Sequence, residues 1–354
     1  MPYGIVFCQK NIQHFEKIKE GTLLEVKEIK INPMWDNYPE IKEELIRCKM
    51  FMLESIDIPN EEVRNQVLNL INKDAKFIRP ALMVTIGKIY NGGEKLEERF
   101  IKIAGTLEML HMATLIHDDI VDDSPKRRGF ESLQSSMGKD IAVYAGDYML
   151  STVFSNVVKY AGTMENIEKI TKTVNEILAG ELIQMEYRNR FDITEEKYYE
   201  IIKGKTAVMI ALCCYEGAYM AGEKEKAEKA WEFGESVGMA FQMIDDILDF
   251  TMDSYNAKKP VNQDFKEGNF TLPIIKSKDR YEKELKNIKN RNIYSDNDNE
   301  EIRKIVKISG GIDYAKSVSE DYSRKSIMIL NDFENVRFKK YLSELVSKML
   351  NRRY

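Results

Sequence analysis

The stretch EERFIKIAGTLEMLHMATLIHDDIVDD, residues 97–123, decides the fold. Apolar residues recur at helical spacing from Phe100 to Val121 and cover more than one side, which is typical of a helix buried in a protein core. This apolar helix then runs directly into four acidic side chains, Asp118, Asp119, Asp122 and Asp123. Negative charge at the end of a buried helix needs a partner, so the segment points to a site as well as to a fold.

A second segment, KAEKAWEFGESVGMAFQMIDDILDFTMD (226–253), has the same design, with helical spacing from Ala227 to Phe250 and a second acidic cluster. Strand-like alternation is weak and confined to residues 23–31. The sequence therefore predicts an all-α fold. Further helices are expected at 39–56, 59–73, 78–90, 140–160, 165–190, 195–221, 300–309, 312–332 and 336–351, with loops at 91–95, 123–132, 253–270 and 291–300.

The composition excludes several functional classes. The 354 residues are 43% hydrophobic and 31% charged, with a net charge of −5, so no basic excess favours nucleic acid. The 4 cysteines form no CxxC pair, which fits a reducing compartment without a zinc or disulfide framework. The start of the chain has only a short apolar run, and no run reaches the ~18 residues of a membrane span. We expect a cytoplasmic protein that makes at most peripheral contact with membranes.

The spacing of the aspartates predicts a metal site. Asp118 and Asp122 are four residues apart, as are Asp245 and Asp249, so each pair lies one helical turn apart on one side. Two carboxylates ~5 Å apart repel by roughly 0.8 kcal/mol in water and by about 3 kcal/mol at an effective dielectric of 20. Divalent cations relieve this repulsion, and Mg²⁺ combines one or two carboxylates with water and phosphate oxygens. Two such clusters facing each other would hold Mg²⁺ and a polyphosphate.

Cations near these clusters support an anionic ligand. Each of them alone is more often a surface charge than a ligand, but together with two aspartate clusters they favour phosphate binding. They are Arg127 and Arg128 after the first cluster, Lys76 and Arg79 at a helix start, Lys205 beside Thr206, and Lys258, Lys259 and Lys266.

These motifs together resemble the all-trans polyprenyl diphosphate synthase family. The resemblance runs from about residue 39 to the C-terminus, and residues 1–38 form an N-terminal extension that it does not cover. It rests on DDIVD (118–122), RRG (127–129), GKDIAVYAGDYML (138–150), GELIQ (180–184), GKTA (204–207), FQMIDDILD (241–249), KPVNQD (259–264), GNFTLP (268–273) and SGGIDYA (309–315). It implies a single large antiparallel helical bundle around a deep central cavity, usually dimeric.

The resemblance also implies residue roles, all within one active site that holds about three Mg²⁺ ions. The metal ligands would be Asp118, Asp119, Asp122, Asp245, Asp246 and Asp249. The allylic diphosphate would be held by Arg127, Lys205, Thr206, Gln242 and Lys259, and isopentenyl diphosphate by Lys76, Arg79, His111 and Arg128. Of these, the catalytic set would be Asp118, Asp119, Asp122, Arg127, Lys205 and Asp245.

Two positions depart from the family pattern. A basic residue common before the Arg-Pro pair is replaced by Phe77, and a lysine common after the second motif is replaced by Asn269. We therefore expect fewer direct contacts to phosphate at these two positions.

The implied reaction is the repeated condensation of isopentenyl diphosphate with an allylic primer such as farnesyl diphosphate, by ionisation, condensation and elimination. The growing tail would run along the helix of the first motif. Ala113 lies roughly 7.5 Å before Asp118, beside Thr114, and Leu110 lies about 12 Å before it. Aromatic residues at the first two of these positions would block the tail, so their small side chains predict a long product, heptaprenyl or octaprenyl diphosphate, for quinone side chains.

Several alternatives remain open from the sequence. The product could be geranylgeranyl diphosphate, and the chain could be a homodimer or the catalytic subunit of a two-component synthase with a non-catalytic partner. A terpene cyclase would share the first motif but not the second set of diphosphate residues. A di-iron oxidase would need a second pair like Glu108 and His111, and neither other histidine has a glutamate three residues before it.

Overall fold

The computed structural model describes residues 29–72, 75–127, 130–251, 262–291 and 294–350. A 3₁₀ turn, Pro33–Trp35, precedes the first helix. The α-helices are α1 (Pro39–Glu54), α2 (Glu61–Asn72), α3 (Ile78–Tyr90), α4 (Glu98–Val121), α5 (Leu133–Met137), α6 (Lys139–Tyr160), α7 (Met164–Tyr187), α8 (Glu195–Ile202), α9 (Val208–Tyr219), α10 (Lys224–Thr251), α11 (Gln263–Glu267), α12 (Leu272–Lys289), α13 (Asp296–Ile308), α14 (Gly311–Asn331) and α15 (Val336–Leu350). The all-α prediction is confirmed.

The two helices that carry the aspartates form the centre of the bundle. Helix α4 packs along α6 and also contacts α1 and α3, and it is buried on nearly every side. Helix α10 packs between α9 and α14 in the same way. Because apolar residues cover more than one side of both helices, each can be enclosed by neighbours, as the sequence predicts.

Several segments outside the predicted helices contain secondary structure that the sequence patterns did not reveal. Helix α12, Leu272–Lys289, was absent from the predicted helices because its second half is strongly polar. Pro273 lies in its first turn, where a missing N–H costs nothing, so this proline starts a helix. Within the predicted loop at 253–270, residues 263–267 form α11. Within the predicted loop at 123–132, strand Lys126–Arg127 (β1) pairs antiparallel with Phe130–Glu131 (β2). The weak strand signal fails where it can be checked, because residues 29–31 form no strand and 23–28 lie outside the described part.

The helix expected at 195–221 is divided by a π-helical turn, Lys203–Ala207, between α8 and α9. At this turn Gly204 crosses Gly180 of α7 so closely that a Cβ on Gly204 would lie 2.7 Å from the Cα of Gly180. On the other side, a Cβ on Gly238 of α10 would lie 2.5 Å from the Cα of Ala207. The turn therefore fits tightly between α7 and α10, and this fixes where Lys205 and Thr206 lie. Mid-helix π turns of this kind are frequent at functional sites.

The described part of the N-terminal extension packs onto the domain. Ile31, Trp35 and Tyr38 are buried in the apolar core. The Trp35 indole N–H donates to the Lys76 carbonyl oxygen at 2.8 Å, which attaches this segment to the residues just before α3. No helix among the described residues combines the length and apolar character needed to cross a bilayer.

Candidate active site

The first aspartate cluster lies at the C-terminal end of α4. Asp119 is buried, Asp118 is half-buried, and Asp122 caps the helix at an exposed position. Asp123 has a left-handed backbone, with a φ of 50°, and pairs with Lys139 of α6 at 2.9 Å. Three carboxylates thus remain together over one turn, and the fourth is neutralised by α6.

The second cluster lies at the corresponding end of α10, and its members differ in environment. Asp245 is exposed, while Asp246 is buried and accepts hydrogen bonds from Tyr198 at 2.6 Å and from the Gln242 amide at 2.9 Å. Burial, together with the neighbouring charges of Asp245 and Asp249, raises the pKa of Asp246 to about 7, although both hydrogen bonds act in the opposite direction. The carboxylate therefore depends on its donors to remain ionised near neutral pH.

Asp249 anchors the return of the chain after the second motif. Its two carboxylate oxygens accept the backbone amides of Gln263 at 3.1 Å and Asp264 at 3.3 Å, at the start of α11. The adjacent Asp264 is half-buried, and desolvation together with the charges of Asp246 and Asp249 raises its pKa well above the ordinary range, while Lys205 opposes them. Asp264 thus belongs to the acidic cluster.

The last turn of α7 and the residues after it connect the two clusters. Arg188 donates from Nη2 to Asp122 Oδ1 at 3.2 Å. The next residue, Asn189, donates its backbone N–H to the Gly268 carbonyl at 2.8 Å, and a Cβ on Gly268 would collide with the Asn189 side chain. Gly268 follows α11. The loop after the second motif is therefore bonded to Asn189, whose neighbour Arg188 contacts the first aspartate cluster.

The π turn brings the predicted allylic diphosphate residues to the same place. Lys205 Nζ donates to Gln184 Oε1 at 3.2 Å and lies 3.8 Å from Glu181 Oε2, both on α7. Thr206 donates to Gln242 Oε1 at 2.6 Å. Thr206 and Gln242 are therefore joined to Asp246, and Lys205, on the same π turn, contacts α7.

The residues predicted for isopentenyl diphosphate lie near the start of α3 and on α4. Lys76 is exposed, and Arg79 and His111 are half-buried. Phe77 is buried, with a left-handed φ of 51°, and its ring lies 5.8 Å from Lys49 Nζ. Phe77 thus contributes to the core where the family places a basic residue. The Arg127 side chain, Arg128 and Lys259 lie outside the described part of the chain.

The residues predicted to set chain length lie along α4. Ala113 and Leu110 are fully buried, and the Thr114 hydroxyl donates to the His111 carbonyl at 2.8 Å. The Thr114 side chain thus has a local hydrogen-bond partner, as expected for a hydroxyl on an otherwise apolar helix surface.

The donor set suits Mg²⁺ that is shared with a phosphate ligand. Within the described ranges, no three Asp, Glu, His or Cys side chains converge into a closed metal cage. What the chain offers is carboxylate oxygen at two helix ends, with cations beside it. Mg²⁺ is commonly bound by one or two carboxylates and completes its shell with water and phosphate, so these residues fit it.

Comparisons with known proteins agree with this arrangement. The family model for polyprenyl synthetase matches residues 60–309. The chain belongs to the polyprenyl synthetase family. It is 32% identical to heptaprenyl diphosphate synthase component 2 of Bacillus subtilis (strain 168), over 86% of this chain and 90% of that protein.

Two solved structures of the family share the fold. One is geranylgeranyl pyrophosphate synthase from Lactobacillus brevis, with a TM-score of 0.83 and 30% identity over 90% of this chain and 99% of that one. The other is a polyprenyl synthase from Caulobacter crescentus complexed with calcium and isoprenyl diphosphate, with a TM-score of 0.80 and 26% identity over 89% of this chain and 98% of that one. The chain is a trans-polyprenyl diphosphate synthase and hence a prenyltransferase.

Three residues of this polyprenyl synthetase site were not assigned from the sequence. Asp264 lies at the end of KPVNQD (259–264), and only the fold shows that it lies near the charges of Asp246 and Asp249. Arg188 lies in YRNRF (187–191), where several charges follow a helix and nothing indicates which one turns inward. Tyr198 is adjacent to Tyr199, and only the helix register shows which ring is buried.

We predict that Arg188→Ala lowers the Mg²⁺ concentration needed for half-maximal activity, because the arginine competes with the metal for Asp122. The two side chains are 31% and 36% exposed, so the pair is worth at most ~1 kcal/mol and the shift is at most about fivefold. A Mg²⁺ titration at saturating substrates measures it. Arg190→Ala is the control, because it loses ion pairs with Asp192 and Glu186 and a contact with the Tyr187 ring, none of which involves Asp122. A Mg²⁺ requirement that is unchanged or higher in Arg188→Ala would contradict this role.

Proposed function

We propose that this prenyltransferase condenses isopentenyl diphosphate repeatedly with an allylic diphosphate, in a Mg²⁺-dependent reaction, to give a long-chain all-trans polyprenyl diphosphate. The observation that carries the proposal is the joining of the two aspartate clusters. Arg188 reaches Asp122, Asn189 holds Gly268, and Thr206 of the π turn is joined through Gln242 to Asp246. In this proposal, one diphosphate head and its metals would bind between the two helix ends.

The proposed chemistry follows from the charges around this head. Bound Mg²⁺ would neutralise the departing diphosphate, which lowers the barrier for breaking the allylic C–O bond. Lys205, Thr206 and Gln242 hold that diphosphate, while Lys76, Arg79 and His111 hold isopentenyl diphosphate. The double bond of isopentenyl diphosphate attacks the allylic cation, whose charge the Phe241 ring face stabilises. A proton is then lost to the released diphosphate, so no protein nucleophile is required.

We further propose that the protein works as a homodimer. The exposed sides of α6 and α7 carry large apolar side chains, among them Tyr144, Val158 and Leu182, which are 74%, 68% and 66% exposed. Large apolar side chains left exposed on neighbouring helices favour an interaction surface. The alternative is a heterodimer, which the naming of the Bacillus subtilis relative as component 2 favours. Gel filtration of the pure protein with an activity assay separates the two, since only a homodimer is active alone. We place the reaction in the cytoplasm.

Asp118→Ala combined with Asp119→Ala should lower turnover roughly 10³-fold, because the loss of metal neutralisation costs several kcal/mol in the transition state. Steady-state rates with farnesyl diphosphate and isopentenyl diphosphate measure it, with thermal melting to confirm the fold. Asp123→Ala is the matched control, since its carboxylate pairs with Lys139. Near-normal turnover of the double variant would exclude the first cluster as the metal site.

We expect the wild-type product to contain at least about six isoprene units. The proposal runs the tail along α4, where the Ala113 and Thr114 side chains, ~6–7.5 Å before Asp118, are too small to block it. Ala113→Phe should shorten it to about farnesyl or geranylgeranyl size while early condensations continue, and Ala113→Leu should give intermediate lengths. Chromatography of the dephosphorylated products against prenyl alcohol standards measures this. A wild-type product that stops at geranylgeranyl diphosphate would show that α4 does not set the length in this way.

A further inference from the structure

A buried chain of hydrogen bonds runs from α8 to the π turn. Tyr198 of α8 is 2% exposed, and its hydroxyl donates to Asp246 Oδ2 at 2.6 Å. Gln242 Nε2 donates to the other oxygen, Asp246 Oδ1, at 2.9 Å. The Thr206 hydroxyl then donates to Gln242 Oε1 at 2.6 Å. The chain ends at two residues assigned to the allylic diphosphate, and Tyr198, at its other end, has no assigned role.

With Asp246 ionised, the order of donors and acceptors along this chain of hydrogen bonds is fixed. An ionised carboxylate only accepts hydrogen bonds, so Gln242 must present its amide nitrogen to Asp246. Its carbonyl oxygen then faces Thr206, which must donate. One N–H of Gln242 is used by Asp246, and the second is left for the open side of the site, where Gln242 is partly exposed. A diphosphate is rich in acceptor oxygens, so this orientation presents a donor to it, whereas a flipped amide would present an acceptor.

Tyr198 stabilises this orientation because it satisfies the second oxygen of Asp246. A buried carboxylate oxygen without a donor is costly. Without the hydroxyl, Oδ2 would lose this donor and the carboxylate could rotate about its Cβ–Cγ bond, so the acceptor that fixes the Gln242 amide would no longer be held in place. Tyr198 lies too deep in the core to reach the diphosphate itself.

We propose that Tyr198 is a positioning residue, which acts through Asp246 to hold Gln242 with an N–H directed at the allylic diphosphate. This inference rests on the proposed function for the identity of the ligand, but the chain of hydrogen bonds that carries it is independent of the reaction.

Tyr198→Phe removes only the hydroxyl. We expect the KM for farnesyl diphosphate to rise roughly tenfold, as the loss of one hydrogen bond to a charged group implies, while the KM for isopentenyl diphosphate stays within about twofold. Calorimetric titration of inorganic diphosphate in the presence of Mg²⁺ should show the same roughly tenfold weakening. The control is Tyr199→Phe. The Tyr199 hydroxyl belongs to the same helix but lies 3.4 Å from Glu195 Oε2 and takes no part in the chain of hydrogen bonds from Tyr198 to Thr206.

A double-mutant cycle separates positioning from general destabilisation. In a Gln242→Ala background, Tyr198→Phe should have no further effect on diphosphate affinity, because the group that it positions is gone. Additive effects of the two substitutions, an equal rise in both KM values, or a lower melting temperature with unchanged affinity would each overturn the proposal. If the wild type forms no prenyl product, the proposed function fails, while the calorimetric arm still decides the role of Tyr198.

Discussion

Carboxylates at the ends of buried helices are the constraint on which the rest of this structure depends. Their mutual repulsion grows as water is excluded, so each needs a donor, a cation or a metal. The protein assigns different partners to different members. Lys139 pairs with Asp123, Arg188 with Asp122, Tyr198 and Gln242 with Asp246, and two backbone amides with Asp249. Asp245 is exposed at the end of α10 and Asp118 is half-buried at the end of α4, and the proposed function assigns both to the metal that a diphosphate would carry.

Close packing of backbone against backbone sets where these charges lie. Gly180, Gly204 and Gly238 allow α7, the π turn and α10 to approach so closely that an added methyl group would collide at each crossing. Lys205 and Thr206 lie within the π turn, which directs Lys205 toward Gln184 and Glu181 of α7 and joins Thr206 through Gln242 to Asp246. The glycines of the motifs thus set the distances between the helices, and these distances decide which polar side chains can contact one another.

The sequence predicted the parts that depend on local periodicity. The spacing of apolar residues predicts helices α4 and α10. The spacing of the aspartates predicts their pairing, because residues four apart lie on the same side of a helix. Contacts between elements were not predictable in this way. The inward turn of Arg188, the burial of Tyr198 but not Tyr199, and the anchoring of α11 by Asp249 depend on how distant segments meet. Helix α12 was missed because its stability comes from the few apolar residues that it buries, such as Leu285 and Ile288, and not from a strong overall pattern.

The central claim is that the two helix ends bind one metal–diphosphate head together. Calorimetric titration of inorganic diphosphate into the wild type and Asp245→Ala, each with and without Mg²⁺, tests it most directly. Joint binding by the two aspartate clusters predicts that the wild type binds diphosphate tightly only when Mg²⁺ is present. It also predicts that Asp245→Ala loses most of this Mg²⁺-dependent affinity although its first cluster is intact. Equal affinity with and without Mg²⁺, or wild-type affinity in Asp245→Ala, would show that the two clusters do not share a ligand.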